Sequence, residues 1–288
     1  MMQWLRGRRG IAAILIVILT GGWGLTFGEE IGGQTEDRGN GEPFFKCILE
    51  DQAAIWTAPV RWRGQDWLLA GGVAVLTGLL IANDEAIFSG IKDYKENNPW
   101  VGNVSPVFSQ LGEGWVPLAS AGLFYLGGTV FKNPRSRETA RLLLMTFLHC
   151  GIVVQAIKHV TGRQRPSYED GIDRWHWLEG FFKQFYEDRS KYNSFPSGHT
   201  IVAWGTATVI AERYKESAIV PVLCYSLATL AGLARITEEA HWLSDVFVGA
   251  VLGYAIGRFV VRKRSSKWQV TPVASPNRVG LTLSYRLE

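Results

Sequence analysis

The sequence predicts an all-α protein: a six-helix bundle of the membrane type, preceded by a signal or anchor segment and followed by a short strand-like tail. The first observation is six apolar segments of about 14–19 residues, at or below the length that spans a bilayer. The segments are residues 67–83, 115–132, 140–158, 199–212, 218–235 and 243–261. The second is composition: 47% of the 288 residues are hydrophobic and 12 are Trp, while the mean hydropathy of +0.04 lies between that of soluble enzymes and that of transporters.

The N-terminal part has the pattern of a targeting segment, which we assign to residues 1–28. Three arginines precede an uncharged apolar run, Ile11–Leu19, as in a secretory signal. No Ala-x-Ala cleavage site follows, and residues 10–28 are uncharged and long enough to span, so a cleaved signal and an uncleaved anchor are both open. Residues 29–66 are polar with Trp toward their end, which predicts a loop that becomes a short interfacial helix.

The remaining chain divides into a helical domain, residues 67–261, and a basic tail, residues 262–288. Within the domain, the polar residues 84–114 and 159–198 predict loops, and the second is long enough to indicate a functional loop. The tail alternates apolar and polar residues from 279 to 287, which predicts a strand or hairpin. Small residues in the last segment have a spacing of four, which predicts close helix packing: Gly249, Gly253 and Gly257.

Composition excludes several classes of protein. A net charge of +4 without a basic patch interleaved with aromatics gives no indication of nucleic-acid binding. Three Cys without short metal-ligand spacing indicate neither a disulfide framework nor a zinc site.

The residues that can carry chemistry are concentrated in three short groups. The first runs from Lys158 through Arg165 to Pro166, the second is Pro196-Ser197-Gly198-His199, and the third comprises Arg235, His241 and Asp245. A phosphoryl-transfer site without metal needs cations and N–H donors around the equatorial oxygens, an in-line nucleophile and an acid for the leaving oxygen.

The first requirement is met by three cations, Lys158, Arg165 and Arg235, and the planar guanidinium groups suit phosphate oxygens. Ser197 and Gly198 precede an apolar segment where a helix begins, and a helix N-terminus is a ready anion site.

The remaining requirements are met by two histidines. His241 and Asp245 are four apart and would share a helix face, where the carboxylate can hold one ring nitrogen while the other attacks phosphorus to give a phosphohistidine. His199 is the imidazole beside the anion site, so we predict that it protonates the leaving alcohol and then activates water.

The three groups are predicted to meet at one end of the bundle. Successive helices alternate direction, so residues 158–198 and 235–242 fall at the same end. This joint arrangement argues against a non-catalytic helical scaffold, because no cation or proton carrier is missing.

With these motifs in place, the chain resembles the PAP2 superfamily, which includes type-2 phosphatidic acid phosphatases, class A acid phosphatases and vanadium haloperoxidases. The family pattern is Lys-x6-Arg-Pro, then Pro-Ser-Gly-His, then Ser-Arg-x5-His-x3-Asp. All positions match over roughly 67–261 except Ala234, which stands where the family usually has Ser. That replacement removes a hydroxyl but no charge or proton carrier.

The resemblance implies a role for each matching residue. His241 would be the nucleophile, Asp245 its partner and His199 the acid. The phosphate ligands would be Lys158, Arg165, Ser197, Gly198 and Arg235. No metal or other cofactor is implied.

The resemblance also implies a substrate class. We expect hydrolysis of a lipid phosphomonoester or diphosphate, of the phosphatidic acid, phosphatidylglycerol phosphate or polyprenyl diphosphate type. A periplasmic acid phosphatase acting on small phosphate esters is the alternative, and a vanadate-dependent haloperoxidase is a remote one.

The distribution of Lys and Arg predicts which side the site faces. The connections at the opposite end are basic, so by the positive-inside rule that end is cytoplasmic and the site faces the periplasm or exterior of a bacterial-type inner membrane. Six spans in this orientation put residues 29–66 in the cytoplasm, whereas a cleaved signal or a spanning anchor puts them outside. Three alternatives are therefore open: one short segment does not span, residues 10–28 do not cross, or the whole bundle folds in the periplasm.

Overall fold

The computed structural model describes residues 44–168, 172–186, 190–264, 268–275 and 278–285, and this part of the chain is mainly helical. The helices are α1 (Phe44–Trp56), α2 (Gly64–Ile81), α3 (Asp84–Asn97), α4 (Trp100–Ser109), α5 (Trp115–Val130), α6 (Pro134–Thr161), α7 (Gly180–Tyr186), α8 (Gly198–Arg213), α9 (Ile219–Thr237) and α10 (Leu243–Arg264). Short 3-10 turns cover Ala58–Arg61 and Gln110–Gly112. The predicted targeting segment, residues 1–28, lies outside the described residues.

The prediction of a helical chain with several apolar helices is confirmed. Each of the six predicted segments falls on a helix, namely α2, α5, α6, α8, α9 and α10. Within the described part of the chain, four helices are long and apolar enough to cross a bilayer: α2, α6, α9 and α10.

The predicted loop at residues 84–114 is wrong, because α3 and α4 occupy most of it. Both lack the long apolar run that marked the other helices. Asp84 and Glu85 lie in the first turn of α3, where negative charge is favourable at the helix N-terminus. Pro99 lies in the turn between α3 and α4, just before the first residue of α4.

Helix α8 lies at the centre of the domain. Ile201, Val209 and Thr208 on this helix are fully buried, and α8 packs against α6, α9 and α10. The closest neighbour of α8 is α10, which packs against it through Gly249, Gly253 and Gly257. A Cβ added at Gly249 would lie 2.8 Å from the Ser197 carbonyl oxygen, and one at Gly257 would lie 2.9 Å from the Gly205 carbonyl oxygen. The glycines therefore let α10 approach the backbone of α8, including the turn that opens it.

A buried charge cluster fixes α1 to the last turn of α10. The Asp51 carboxylate accepts a hydrogen bond from Arg264 Nη2 at 2.6 Å and lies 2.8 Å from Lys263 Nζ. Asp51 Oδ2 also lies 3.3 Å from His149 Nε2 on α6, and the His149 Nδ1 atom lies 2.8 Å from Gln52 Nε2. Because Asp51 and His149 are fully buried, this cluster joins three helices through paired polar groups.

The tail contains two strands, β1 (Trp268–Ser275) and β2 (Arg278–Tyr285). They pair antiparallel, with Trp268 opposite Tyr285 and Ser275 opposite Arg278.

Candidate active site

The N-terminus of α8 forms the base of the candidate site. Ser197 is the N-cap residue: its Oγ accepts hydrogen bonds from the Thr200 hydroxyl at 2.8 Å and from the Thr200 backbone N–H at 3.4 Å. The Ser197 backbone N–H donates to the Asp245 carbonyl oxygen at 3.0 Å. The cap therefore fixes the first turn of α8 against the first turn of α10.

Lys158 reaches this N-terminus from the last turn of α6. The helix ends at Thr161, and Gly162 follows with a φ of +52°, the left-handed conformation typical of a helix C-cap. The Lys158 side chain is buried, and its Nζ would lie 3.8 Å from a Cβ placed on Gly198. The ammonium group is therefore beside the N–H groups that open α8.

Asn193 connects two of the predicted cations. Its carbonyl oxygen accepts a hydrogen bond from Lys158 Nζ at 2.6 Å, and its Oδ1 accepts one from Arg165 Nε at 2.9 Å. The Arg165 backbone N–H donates to the Lys191 carbonyl oxygen at 3.0 Å. Asn193 thus sets the spacing between an ammonium and a guanidinium group on the same side of the site.

His241 and Asp245 meet, but in a different local structure from the one the spacing predicts. His241 lies in the turn before α10, whereas Asp245 is in the first turn of the helix, so the shared helix face is wrong. The Asp245 Oδ2 atom lies 3.5 Å from His241 Nδ1. The same oxygen accepts hydrogen bonds from the Ser194 hydroxyl at 2.6 Å and the Trp242 backbone N–H at 2.9 Å. Asp245 therefore caps α10 and holds the turn that carries His241.

Arg163 binds the Asp245 carboxylate through Oδ1, the oxygen that does not face His241. Its guanidinium is fully buried, and Nη1 donates to Asp245 Oδ1 at 2.6 Å. Nη2 donates to Asp84 at 2.8 Å and to Asp173 at 2.6 Å, and the group lies 4.5 Å from the centre of the Trp175 ring. Three carboxylates from distant parts of the chain thus share one buried cation.

His199 has a partner that the sequence did not indicate. Its Nε2 lies 3.0 Å from Glu113 Oε1. The approach depends on Gly112, because a Cβ there would lie 2.6 Å from the His199 Cβ and 2.8 Å from its carbonyl oxygen. The chain before α5 therefore packs directly on the start of α8 and places a carboxylate beside the predicted acid.

Arg235 completes the group of predicted residues. It lies at the end of α9, where Nη1 donates to the Ser109 hydroxyl at 2.6 Å and to the Glu238 carboxylate. The Arg235 carbonyl oxygen accepts hydrogen bonds from the backbone N–H groups of Ala240 at 3.0 Å and of His241 at 3.2 Å, so the end of α9 adjoins the turn that carries His241.

The pKa values of both histidines are lowered from the ordinary 6.5, in each case first by burial. Burial, followed by the positive charges of Arg165 and Lys158, holds the pKa of His241 well below the ordinary 6.5, although Asp245 opposes this. Burial and the charge of Arg235 lower the pKa of His199, which Glu113 partly raises. The positive charge of Lys158 contributes to the lowering of both pKa values.

The structure therefore brings the predicted residues together at one end of the helices. They are Lys158, Arg165, Ser197, Gly198, His199, Arg235, His241 and Asp245. Within the described ranges, no group of three His, Cys, Asp or Glu side chains has the arrangement of a metal site.

Sequence reasoning missed four supporting residues: Arg163, Asn193, Glu113 and Asp84. Arg163 lies within the first motif, and its position two residues before Arg165 was the one available signal. The other three are single polar residues without periodicity or spacing to mark them.

Known proteins are similar to the part of the chain that carries the site. The PAP2 superfamily model matches residues 139–269, which contain all eight predicted site residues. Lipid A 1-phosphatase of Porphyromonas gingivalis is 31% identical over 127 residues, 43% of this chain and 24% of that protein. Lipid phosphate phosphatase 1 of Arabidopsis thaliana is 27% identical over 189 residues, 59% of this chain and 56% of that protein. The chain thus spans about half or less of the length of these curated relatives.

Among solved structures, the crystal structure of the first transmembrane PAP2 type phosphatidylglycerolphosphate phosphatase from Bacillus subtilis is similar, with a TM-score of 0.49 and 21% identity. The match covers 77% of this chain and 94% of that one. Residues 139–269 of this chain therefore match the PAP2 superfamily.

Proposed function

We propose that this protein is a PAP2-type phosphatase that releases inorganic phosphate from a lipid phosphate through a phosphohistidine on His241. The observation that carries the proposal is the position of Lys158, Arg165 and Arg235 beside two imidazoles, at one end of apolar helices. The proposal covers phosphomonoesters and diphosphates of the phosphatidic acid, phosphatidylglycerol phosphate or polyprenyl type.

In the first step, His241 Nε2 attacks phosphorus while Nδ1 faces Asp245. The P–N bond forms as the P–O bond to the lipid breaks, and His199 donates its proton to the leaving oxygen. His241 is suited to attack because its lowered pKa leaves it unprotonated. Asp245 stabilises the positive charge that develops on the ring.

In the second step, water attacks the phosphohistidine. His199 removes a proton from the water, the P–N bond breaks, and inorganic phosphate leaves while His241 returns to its neutral form. The transferring group carries negative charge on its equatorial oxygens in both steps. Lys158, Arg165, Arg235 and the N–H groups after Ser197 would stabilise that charge.

The apolar helices support a lipid substrate over a small soluble ester. α2, α5, α6, α8, α9 and α10 would form the membrane bundle, and four of them are long enough to cross. α8, with 16 residues, is about 24 Å long and packs against α6, α9 and α10.

The site would face the periplasm or exterior of an inner, plasma-type membrane. The ends opposite the site are basic, and by the positive-inside rule they stay in the cytoplasm. The basic residues are Lys132, Arg135, Arg137, Arg141, Arg213, Lys215, Arg262, Lys263 and Arg264. A membrane-impermeant thiol reagent applied to intact cells should modify Glu96→Cys, near the site, and spare Ser217→Cys at the other end. The reverse pattern would contradict this orientation.

The activity is tested by purifying the full chain in detergent and measuring phosphate release from lipid and soluble phosphates. Wild-type protein should turn over the lipids, and His241→Ala should not. His159→Gln is a matched control, because that ring bonds to the Gln155 carbonyl of its own helix at 2.7 Å. Turnover by His241→Ala at the wild-type rate would exclude the mechanism, and turnover of soluble esters alone would exclude the lipid substrate.

A further inference from the structure

The segment around α7 exposes a group of apolar side chains beside the candidate site. We call Trp177, Leu178, Phe181, Phe182 and Tyr186 the aromatic wedge. Each of these side chains is more than half exposed, and Leu178 reaches 77%. An exposed cluster of large apolar residues is unusual on a water-facing surface and indicates contact with another apolar body.

The aromatic wedge is fixed to the end of α6 that carries Lys158. The Leu178 backbone N–H donates to the Val160 carbonyl oxygen at 2.8 Å, and Gln184 Nε2 donates to the Lys158 carbonyl oxygen at 2.8 Å. Gly180 lies against Gly162, since a Cβ on Gly180 would lie 2.7 Å from the Gly162 Cα. The wedge is therefore held in place next to a predicted phosphate ligand.

Leu178 has a backbone conformation that its side chain disfavours. Its φ is +62°, in the left-handed region, which is unfavourable for a residue other than Gly. Burial in this chain does not offset that cost, because the side chain is exposed. A glycine or asparagine would adopt this turn more easily, so an apolar side chain here is explained by contact with something outside the chain.

The wedge is continuous with the outer face of α6. That face carries apolar residues at intervals of four or eight, all more than a third exposed: Leu144, Leu148, Ile152 and Val160. α6 is one of the helices able to cross a membrane, and its last exposed residue, Val160, accepts the hydrogen bond from Leu178. A bilayer that covers this face reaches the wedge next, at the level where Trp and Tyr side chains concentrate.

We propose that the aromatic wedge inserts into the bilayer leaflet on the site side, so that the lipid surface itself is its partner. A lipid phosphate in that leaflet would then reach Lys158 by moving laterally past the wedge, with its acyl chains still in the membrane. This inference rests on the proposed phosphatase function and adds where the substrate comes from.

The first test compares two substrates with the double variant Leu178→Ser, Phe182→Ser. Full-length protein is reconstituted into phosphatidylcholine vesicles and assayed with long-chain phosphatidic acid in the same bilayer and with p-nitrophenyl phosphate in the water. We expect the apparent KM for the vesicle lipid to rise about tenfold and kcat/KM for the soluble ester to stay within about twofold. Equal losses on both substrates, or no loss on either, would overturn the proposal.

The second test does not depend on activity. An environment-sensitive fluorophore is attached at Leu178→Cys, and separately at Ser217→Cys in the exposed turn before α9, with Cys47 and Cys224 replaced by Ala. In vesicles, the probe at 178 should shift to the blue and be quenched by nitroxide-labelled lipid, whereas the probe at 217 should do neither. Equal, unquenched emission from both sites would contradict insertion. If wild-type protein releases no phosphate from either substrate, the proposed function fails, and the fluorescence still decides the wedge.

Discussion

Arg163 Nη1 lies 2.6 Å from Asp245 Oδ1, in a fully buried contact behind the candidate nucleophile. The other carboxylate oxygen faces His241, so one side chain connects the predicted nucleophile to a buried cation. Arg163 also binds Asp84 and Asp173, which come from α3 and from the loop after α6. We infer that Arg163 is a positioning residue that keeps Asp245 ionised and oriented.

Replacing Arg163 should therefore affect both stability and turnover. Arg163→Ala leaves three carboxylates without their shared cation, and we expect a loss of about 3–5 kcal/mol in the free energy of unfolding. Arg163→Lys keeps the charge but cannot bridge several carboxylates with a planar fork, so we expect a folded protein with reduced kcat. Thermal unfolding and phosphate release measure the two effects. Full activity in Arg163→Lys would show that bridging is not required.

The pH dependence of kcat/KM follows from the two histidines, because this ratio reports the groups of the free enzyme. His241 must be unprotonated, and its pKa lies well below 6.5, so activity is lost only at strongly acidic pH. His199 must be protonated, and its pKa also lies below 6.5. Activity therefore falls as the pH rises through the pKa of His199. We expect the maximum below pH 6.5, after correction for ionisation of the substrate. A maximum above pH 8 would contradict the assignment of these roles.

Glu113 should set the position of the alkaline limb. Its carboxylate lies 3.0 Å from His199 Nε2 and raises the pKa of that ring against burial and Arg235. In Glu113→Gln the pKa of His199 falls further, so the alkaline limb of kcat/KM should move to lower pH. Glu239→Gln is the matched control, because that carboxylate pairs with Lys95 at 3.1 Å. An unchanged profile in Glu113→Gln would leave Glu113 without a role in proton transfer.

Substitutions in the Asp51 cluster, at the end of the helices opposite the site, should lower the stability of the protein without changing its turnover. Asp51→Asn removes the charge that pairs Arg264 and Lys263, so we expect a loss of about 3 kcal/mol and a lower Tm in detergent. Arg264 is 19 residues from Asp245 along α10, about 29 Å away, so kcat should be unchanged at temperatures where the protein is folded. Glu50→Gln, which removes a partly exposed carboxylate next to Asp51 on α1, should change Tm little. A Tm for Asp51→Asn equal to wild type would contradict the structural role of the cluster.

The motif residues could be placed from sequence because helix direction and capping follow simple rules. Six apolar segments alternate in direction, which puts Lys158, Arg235 and His241 at one end, and Ser197 before an apolar run marks the start of a helix. The eight residues meet as this reasoning predicts. Their catalytic roles stay predictions, because geometry alone does not test them.

The supporting contacts could not be predicted in the same way. Glu113 pairs with a residue 86 positions later, and Asp84 reaches Arg163 79 positions later, so no local pattern connects them. The charge of Arg163 is visible in the sequence, but its complete burial depends on three segments folding together. α3 was missed because its surface is polar, and the turn at His241 was missed because a spacing of four favours a helix but does not require one.

The most direct test of the account is a rapid-quench experiment with substrate labelled in its phosphate group. The quench is alkaline, because phosphohistidine is labile in acid, and the labelled peptide is identified by mass spectrometry. We predict a transient label on His241 in the wild type, no labelled protein in His241→Ala, and a fall in turnover of about three orders of magnitude or more in that variant. Label on another residue, or wild-type turnover in His241→Ala, would contradict the central claim.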